Sequence, residues 1–443
     1  MYRFNGLFRD PRKHKPHWTG EIRLDTSHFL PLLGYSTNMN EDLTLTRRNV
    51  THAVNRKISY IESAYSHNCE KVIGQIYEKA WLRGFKRRQF FVSSKVPMIG
   101  YEGHLASKFM KLSRRNLGVQ EMDACFVEGP VGLQGKDLND VCPVNEKGEC
   151  VLDEGSDFIR VWRTMEDQFL LNHTNFIGLC NFNIDQINTI CQWARFPPHM
   201  VQMDINVYNM RKEERRILRE WRIKIIATHI FGSPTFIPTK DRPVLRKHPT
   251  VMKLASDHGV VANVILVKFL IQQNIVCMLP GCSRDEQDQI YANITKFQLS
   301  YEEMVMLNKL DTEGTARLMD FPDYKGCQAH PEFPFRYDVL RDGFTHDLWI
   351  RPPPGTYKFR GRKTKFFTGW KKWNLGPLAK PVEEEEEEDD DTSSKTMTLR
   401  KAKKTAPSLS NVNINEWPQL DIGDEDTRSN TWFIRKQTTS YDA

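Results

Sequence analysis

Three features of this sequence predict an eight-stranded (β/α) barrel. Eight short apolar runs occur, helical patterns separate them, and the runs are apolar enough to be buried on both faces. Strands separated by helices require parallel pairing through right-handed crossovers. Runs such as Phe90-Phe-Val and Lys224-Ile-Ile-Ala lack the alternation of a sheet with one wet face. A closed barrel of eight such units is the economical arrangement.

The elements follow in order. A strand is read over 30–37 and a helix over 47–57. A strand over 58–64 leads to a helix over 69–84, and a strand over 90–97 to a helix over 103–117. The fourth strand, 122–128, is followed by a long loop before the helix over 157–172. Strand 175–180, helix 185–194, strand 200–205 and helix 213–221 come next. Strand 224–231 precedes two helical stretches, 249–258 and 262–273. Strand 275–279 and helix 284–294 close the set.

Composition bounds the rest. The 443 residues suffice for one large domain plus additional material, and 39% hydrophobic with 11% aromatic residues suit a globular core. The formal charge of +7 is modest and implies no nucleic-acid partner. No apolar run approaches a membrane span, and the N-terminal Met-Tyr-Arg-Phe-Asn-Gly lacks a signal-peptide core. Nine cysteines without a CxxC pair read as reduced thiols in a cytoplasmic protein and offer no metal site. A monomer is expected.

Three regions are expected: a basic arm over 1–28, the barrel with its C-terminal loop over 29–340, and a largely disordered tail over 341–443. In the tail, six aromatics between Tyr357 and Trp373 alternate with basic residues, and an acidic run over 383–391 follows. Such blocks bury too little apolar surface to fold alone. The tail is read either as a docking segment for a protein partner or as a linker whose opposite charges neutralise each other.

Ile58-Ser-Tyr-Ile-Glu-Ser-Ala-Tyr-Ser-His-Asn-Cys-Glu70 resembles the second barrel strand of the aldo-keto reductases. Phe91-Val-Ser-Ser-Lys95, the loop and helix over 140–166, Phe176-Ile-Gly-Leu-Cys-Asn-Phe182 and Ala329-His-Pro-Glu-Phe-Pro-Phe335 resemble further blocks of that family. The resemblance covers 28–340 and implies a catalytic tetrad of Asp, Tyr, Lys and His at the C-terminal rim. Carried onto this sequence, the tetrad becomes Glu62, His67, Lys95 and Glu128, so only the lysine is kept.

Each change has a consequence. Glu62 keeps the charge with one more methylene. His67 is shorter than tyrosine, and Lys95 beside it discourages protonation. A proton donor misplaced by about an ångström loses on the order of a hundredfold in rate. Glu128 is similar to the glutamate of the steroid 5β-reductases, a branch that keeps the tyrosine. Tyr65 could supply a phenol only if its loop shifts, and is otherwise a loop aromatic.

The implied cofactor is NADP(H) or NAD(H), with weakened binding. Asn181 and Gln202 match residues that hold the nicotinamide carboxamide, with Cys180 where a serine usually stands. Thr228 takes the place of the stacking tyrosine, and Gly232 and Ser233 match the pyrophosphate loop. Gly281 and Cys282 replace the lysine and serine that bind the 2′-phosphate. Arg284 is the nearby basic substitute, and Gln287 or Gln289 falls where the family has an arginine. Aromatic pocket walls are replaced by Asn38 and Gly129, which widens the mouth.

Structural readings stand beside these. Lys95 and Glu62 can be a relic ion pair, Asn181 and Gln202 can serve the barrel rim, Glu128 can be a loop carboxylate, and His67 can be a packed histidine. The sequence is read as a divergent aldo-keto reductase-like protein with weak or absent NAD(P)H-dependent carbonyl reduction, in the limit a pseudoenzyme. The alternatives are an active NAD(P)H-dependent oxidoreductase on an unusual carbonyl or enone, and a barrel scaffold for tail-mediated interactions.

Overall fold

The computed structural model of the chain describes residues 20–25, 28–39, 41–101, 105–135, 137–232, 238, 240, 243–312, 324–335, 337–339 and 345–347. The readings made for the arm before residue 20, for Ser233 and for the tail beyond 347 fall outside the described residues.

A closed barrel of parallel strands forms the centre, in the order β10-β3-β4-β5-β6-β7-β8-β9. Its strands are β3 (Leu33–Ser36), β4 (Tyr60–Glu62), β5 (Phe91–Val96), β6 (Met122–Val127), β7 (Thr174–Cys180), β8 (Met200–Asp204), β9 (Lys224–Thr228) and β10 (Val276–Leu279). They are nearly all buried, as the apolar runs require. The outer helices are α1 (Leu43–Asn55), α2 (Glu70–Leu82), α3 (Leu105–Leu117), α4 (Phe158–Leu170), α5 (Ile184–Trp193), α6 (Lys212–Glu220), α7 (Pro249–Asp257), α8 (Ala262–Ile271), α9 (Arg284–Asn293) and α10 (Tyr301–Asn308). Side-chain caps fix several starts: Asp42 accepts from Thr44 and Leu45 amides before α1, and Asn183 with Gln186, and Ser283 with Glu286, form capping boxes before α5 and α9.

Three differences from the sequence reading appear. Residues 21–23, within the expected basic arm, form β1 (Glu21–Arg23), which pairs antiparallel with β2 (Phe29–Pro31). The run over 30–37 is therefore two strands, broken at Leu32. His28 at the hairpin's tip packs edge-on against Phe176, with ring centroids 5.3 Å apart, so the hairpin covers the N-terminal end of the barrel. Helix α10, not anticipated, begins at a capping box of Ser300 and Glu303. Beyond the barrel, strands β11 (Tyr337–Val339) and β12 (Thr345–Asp347) pair antiparallel.

The barrel interior alternates large and small side chains. Gly178 on β7 leaves room for Phe126 from β6: a Cβ there would lie 2.5 Å from the Phe126 ring and 2.7 Å from the Met200 carbonyl oxygen. A second apolar cluster lies over the C-terminal rim. It joins Met98, Ile99 and Phe109 to the long loop after β6 (Val131, Leu133, Cys150) and to Tyr324, Cys327, Phe333 and Phe335 of the C-terminal segment. Asn183 donates to the Pro334 carbonyl at 3.0 Å and Gln186 to that of Glu332 at 2.9 Å, so α5 anchors the segment.

Gly178→Ala is expected to destabilise the barrel by about 3 kcal/mol, near the top of the overpacking range, because one clash is with backbone. Chemical denaturation measures it, with a lowered midpoint at unchanged slope as the expected outcome.

Candidate active site

Parallel strands place all their C-terminal ends at one rim, and there the sequence has concentrated polar groups. Glu62 is the last residue of β4, Lys95 is next to last on β5, Glu128 follows β6, Cys180 ends β7 and Gln202 lies on β8. All five are buried.

The centre is an ion pair between Lys95 Nζ and Glu62 Oε1. Gln202 Nε2 donates to both Glu62 oxygens, at 3.0 and 3.2 Å, and Gln202 Oε1 accepts from the Cys180 thiol at 3.1 Å. Burial works against the Lys95 ammonium. Attraction to Glu62, with smaller contributions from Cys180 and Glu128, outweighs it and holds Lys95 above its ordinary value. Burial pushes the Cys180 thiol well up, with Lys95 opposing.

After β4 a single 3-10 turn, Tyr65–His67, distributes three side chains in three directions. Tyr65 packs edge-on against Phe109 at 4.7 Å between centroids, as a loop aromatic. Ser66 turns inward and donates to Glu128 Oε1 at 2.6 Å. His67 Nδ1 lies 2.8 Å from Thr37 Oγ1. Thr37 has one hydroxyl proton and two acceptors in reach, His67 Nδ1 and the Glu62 carbonyl oxygen at 3.2 Å. Donation to His67 leaves Nε2 as the ring donor; donation to Glu62 leaves Nε2 bare. The residue is half-buried. Burial, then the Lys95 charge, lowers its pKa well below the usual value, so the imidazole is neutral.

Burial raises the Glu128 carboxyl; Lys95, Ser66 and the Tyr324 phenol oppose this, and Glu62 adds to it. The pocket therefore holds one compensated ion pair and two groups biased toward neutrality. Of these neighbours, Thr37, Ser66 and Tyr324 were not anticipated. Ser66 sat inside the diagnostic motif, one residue from His67, and only the fold reveals that it faces Glu128.

The aldo/keto reductase family model matches residues 33–312. The chain belongs to the aldo/keto reductase family. It is 22% identical to prostaglandin F synthase 1 of Bos taurus over 324 residues, 71% of this chain and 97% of that protein. It is 26% identical to aldo-keto reductase family 1 member C4 of Homo sapiens over 321 residues, 71% of this chain and 97% of that protein. In structure it is similar to the aldose reductase of Schistosoma japonicum, with a TM-score of 0.60 and 24% identity over 70% of this chain and 96% of that one, a likeness of fold.

Against that family, the residues matched to the cofactor's anchors are largely committed to protein partners. Both ends of the Gln202 amide are used, and Asn181, in a left-handed conformation, donates to the Glu128 carbonyl at 3.3 Å. Thr228 ends β9, where its carbonyl accepts from the Ile205 amide at 3.2 Å. Gly232 has φ +113°, which suits glycine, and its amide closes a turn onto the His229 carbonyl at 2.8 Å. At the 2′-phosphate position, a Cβ on Gly281 would lie 2.6 Å from Asn38 Nδ2 and 3.3 Å from Glu41 Oε1. The Glu41 carboxylate thus lies close beside Gly281. The Cys282 side chain is buried, its thiol pushed up to about 12 by burial, so it presents no hydroxyl-like donor outward. Buried Gln287 donates to the Cys282 carbonyl at 3.1 Å, and exposed Gln289 accepts from Asn293 at the end of the same helix. Arg284 is half-buried at the start of α9. Of the two altered pocket walls, Asn38 is exposed and Gly129 is buried, its carbonyl accepting from the Tyr101 phenol. The residues present fit poorly with tight NADPH binding in the family's manner.

Glu62→Gln removes the counter-charge of a buried ammonium and is expected to destabilise by about 3–5 kcal/mol, while Glu62→Gln with Lys95→Met recovers much of the loss. Denaturation curves of both variants measure it.

His67 also gives a pH signature. The folded ring resists protonation well below 6.5, whereas the unfolded chain takes up a proton there. The unfolded state binds more protons in that window, so stability falls as pH drops below about 6.5, by up to about 1.4 kcal/mol per unit. Glu128, raised in the fold, has the opposite sign. The wild-type chain is expected to lose more stability than His67→Asn between pH about 7 and 5, which thermal unfolding across that range compares.

Proposed function

We propose that this chain is a divergent aldo/keto reductase with weak or absent NAD(P)H-dependent carbonyl reduction, in the limit a pseudoenzyme. The reading rests on His67, matched through the resemblance to the proton donor, with its Nδ1 engaged by Thr37 and its pKa lowered by burial and Lys95. A bound nicotinamide supplies hydride; the protein must then deliver a proton to the carbonyl oxygen. Lys95 is held protonated above its ordinary value and bound to Glu62, which makes it a poor acid. His67 offers at most Nε2–H, and only in one tautomer. Neither arrangement reproduces a phenol sharpened by a lysine.

One observation favours a second reading, reduction of a conjugated carbonyl. Glu128 is raised by burial, and a protonated carboxyl can donate a hydrogen bond to an enone oxygen. The occupied Gln202 amide and the carboxylate beside Gly281 support weak binding of NADP(H) or NAD(H) under either reading. Partners remain a matter of proposal: a small carbonyl substrate for the pocket, and a protein docking on the tail.

Fluorescence titration with NADPH and NADH tests the cofactor reading. Weak binding with little discrimination is expected, and submicromolar NADPH affinity with strong preference over NADH contradicts it. Gly281→Lys alone is expected to gain little, because Glu41 neutralises the new ammonium. Adding Glu41→Ala is expected to raise NADPH affinity about tenfold or more, the scale of one charge-assisted contact. Turnover of simple aldehydes and of an enone, followed by NADPH absorbance, tests the chemistry. Very slow aldehyde reduction is expected, and His67→Tyr alone recovers little of it. Enone turnover lost in Glu128→Gln favours the second reading.

A further inference from the structure

All nine cysteines are thiols in this structure, and most are sealed in the barrel. Burial pushes Cys125, Cys191 and Cys277 far up and Cys69 to about 12, which leaves them poor nucleophiles. Cys142 and Cys150, in the long loop between β6 and α4, differ. Their sulfurs lie 3.6 Å apart. Cys142 is half-exposed, so a small reagent reaches it from solvent.

The backbone holds this geometry. Residues 143–151 form a tight hairpin, with Val144 bridged antiparallel to Cys150 and the Val151 amide donating to the Pro143 carbonyl at 2.9 Å. The turn is fixed by Asn145, whose side-chain oxygen accepts from the amides of Lys147 and Glu149 at 2.9 and 3.1 Å, and by Gly148 at φ +71°. The two thiols are thus held diagonally across a hairpin, where a shift of roughly 1.5 Å brings sulfurs to bonding distance. The hydrogen bond from Cys142 lowers the Cys150 pKa, against burial, which favours the thiolate needed for attack.

We propose that Cys142 and Cys150 form a redox-sensitive dithiol that closes into a disulfide when a hydroperoxide is present. The Cys142 thiolate, which solvent reaches, attacks one oxygen of hydrogen peroxide, breaking the O–O bond, releasing one water and leaving a sulfenic acid. The Cys150 thiolate then attacks that sulfur, forming the S–S bond and expelling the oxygen as a second water. Two thiol hydrogens leave in the waters, the sulfur pair gives up two electrons and the peroxide takes them.

The pair is wired to the rim. The Cys150 amide donates to the Lys325 carbonyl at 2.7 Å, and Gly326, at φ +88°, passes so close that a Cβ there would meet Glu149 Cβ at 2.9 Å. Tyr324, beside these residues, faces Glu128. The cross-link therefore stiffens the support of the segment over the site. It does so whether or not the barrel reduces carbonyls.

The test uses the full reduced chain and hydrogen peroxide, raised in concentration until the first disulfide forms, followed by alkylation, digestion and mass spectrometry. The expected result is a peptide linking Cys142 to Cys150, formed about tenfold faster than loss of any other thiol pair and reversed by dithiothreitol. In Cys150→Ser, Cys142 is expected to stop at a sulfenic acid that dimedone traps. Amide exchange at Cys150 and Val151 is expected to slow in the oxidised chain. A first cross-link between Cys150 and Cys327, or oxidation elsewhere while both thiols stay fully alkylatable, overturns the proposal.

Discussion

The buried pair of Lys95 and Glu62 sets the conditions for everything else at the rim of this barrel. An ammonium removed from water needs a counter-charge and donors to steady it, and the strand ends supply both. Glu62 meets the ammonium, and Gln202 holds both carboxylate oxygens of Glu62. With that charge satisfied, the groups around it are driven toward neutrality. His67 is kept from protonating by burial and by Lys95, and Glu128 is raised because burial outweighs the attraction of the same lysine. A site that looks crowded with charge thus carries one compensated pair.

The substitutions that set this chain apart within its family are mutually consistent. Glu62, one methylene longer than aspartate, reaches Gln202 as well as Lys95, which removes the amide from the set of groups available to a cofactor. Cys180 completes that commitment from the other side. At the far edge of the site, a Cβ on Gly281 would meet Asn38 and Glu41, and the Cys282 side chain is buried in the core. A mutation restoring any one family residue meets neighbours already adapted to its absence.

Much of the architecture was legible because parallel strands are buried on both faces and read as short apolar runs, as in Phe90-Phe-Val92 and Ile225-Ile-Ala227. The hairpin strand Glu21-Ile-Arg23 was not, since three residues of mixed polarity have no period to detect. Helix α10 is marked in the sequence by the capping pair of Ser300 and Glu303. The four residues matched to the tetrad came from the family resemblance, which says nothing of their partners. Thr37 reaches His67 across 30 residues and Ser66 reaches Glu128 across 62, contacts that only barrel closure creates. Side-chain direction was equally hidden: nothing in the sequence indicates that Cys282 points inward, or that Glu41 stands beside Gly281.

The neutral state of His67 is the claim on which the functional reading turns, and nitrogen NMR of the labelled imidazole reads it directly. The expected result is a ring that keeps the neutral nitrogen pattern as pH falls through about 6.5, the ordinary histidine value, down to the onset of acid unfolding. Substituting Lys95→Met is expected to move the titration of His67 upward. A wild-type His67 that titrates at or above its ordinary value would contradict the account, because the ring would then be a charged acid available at neutral pH.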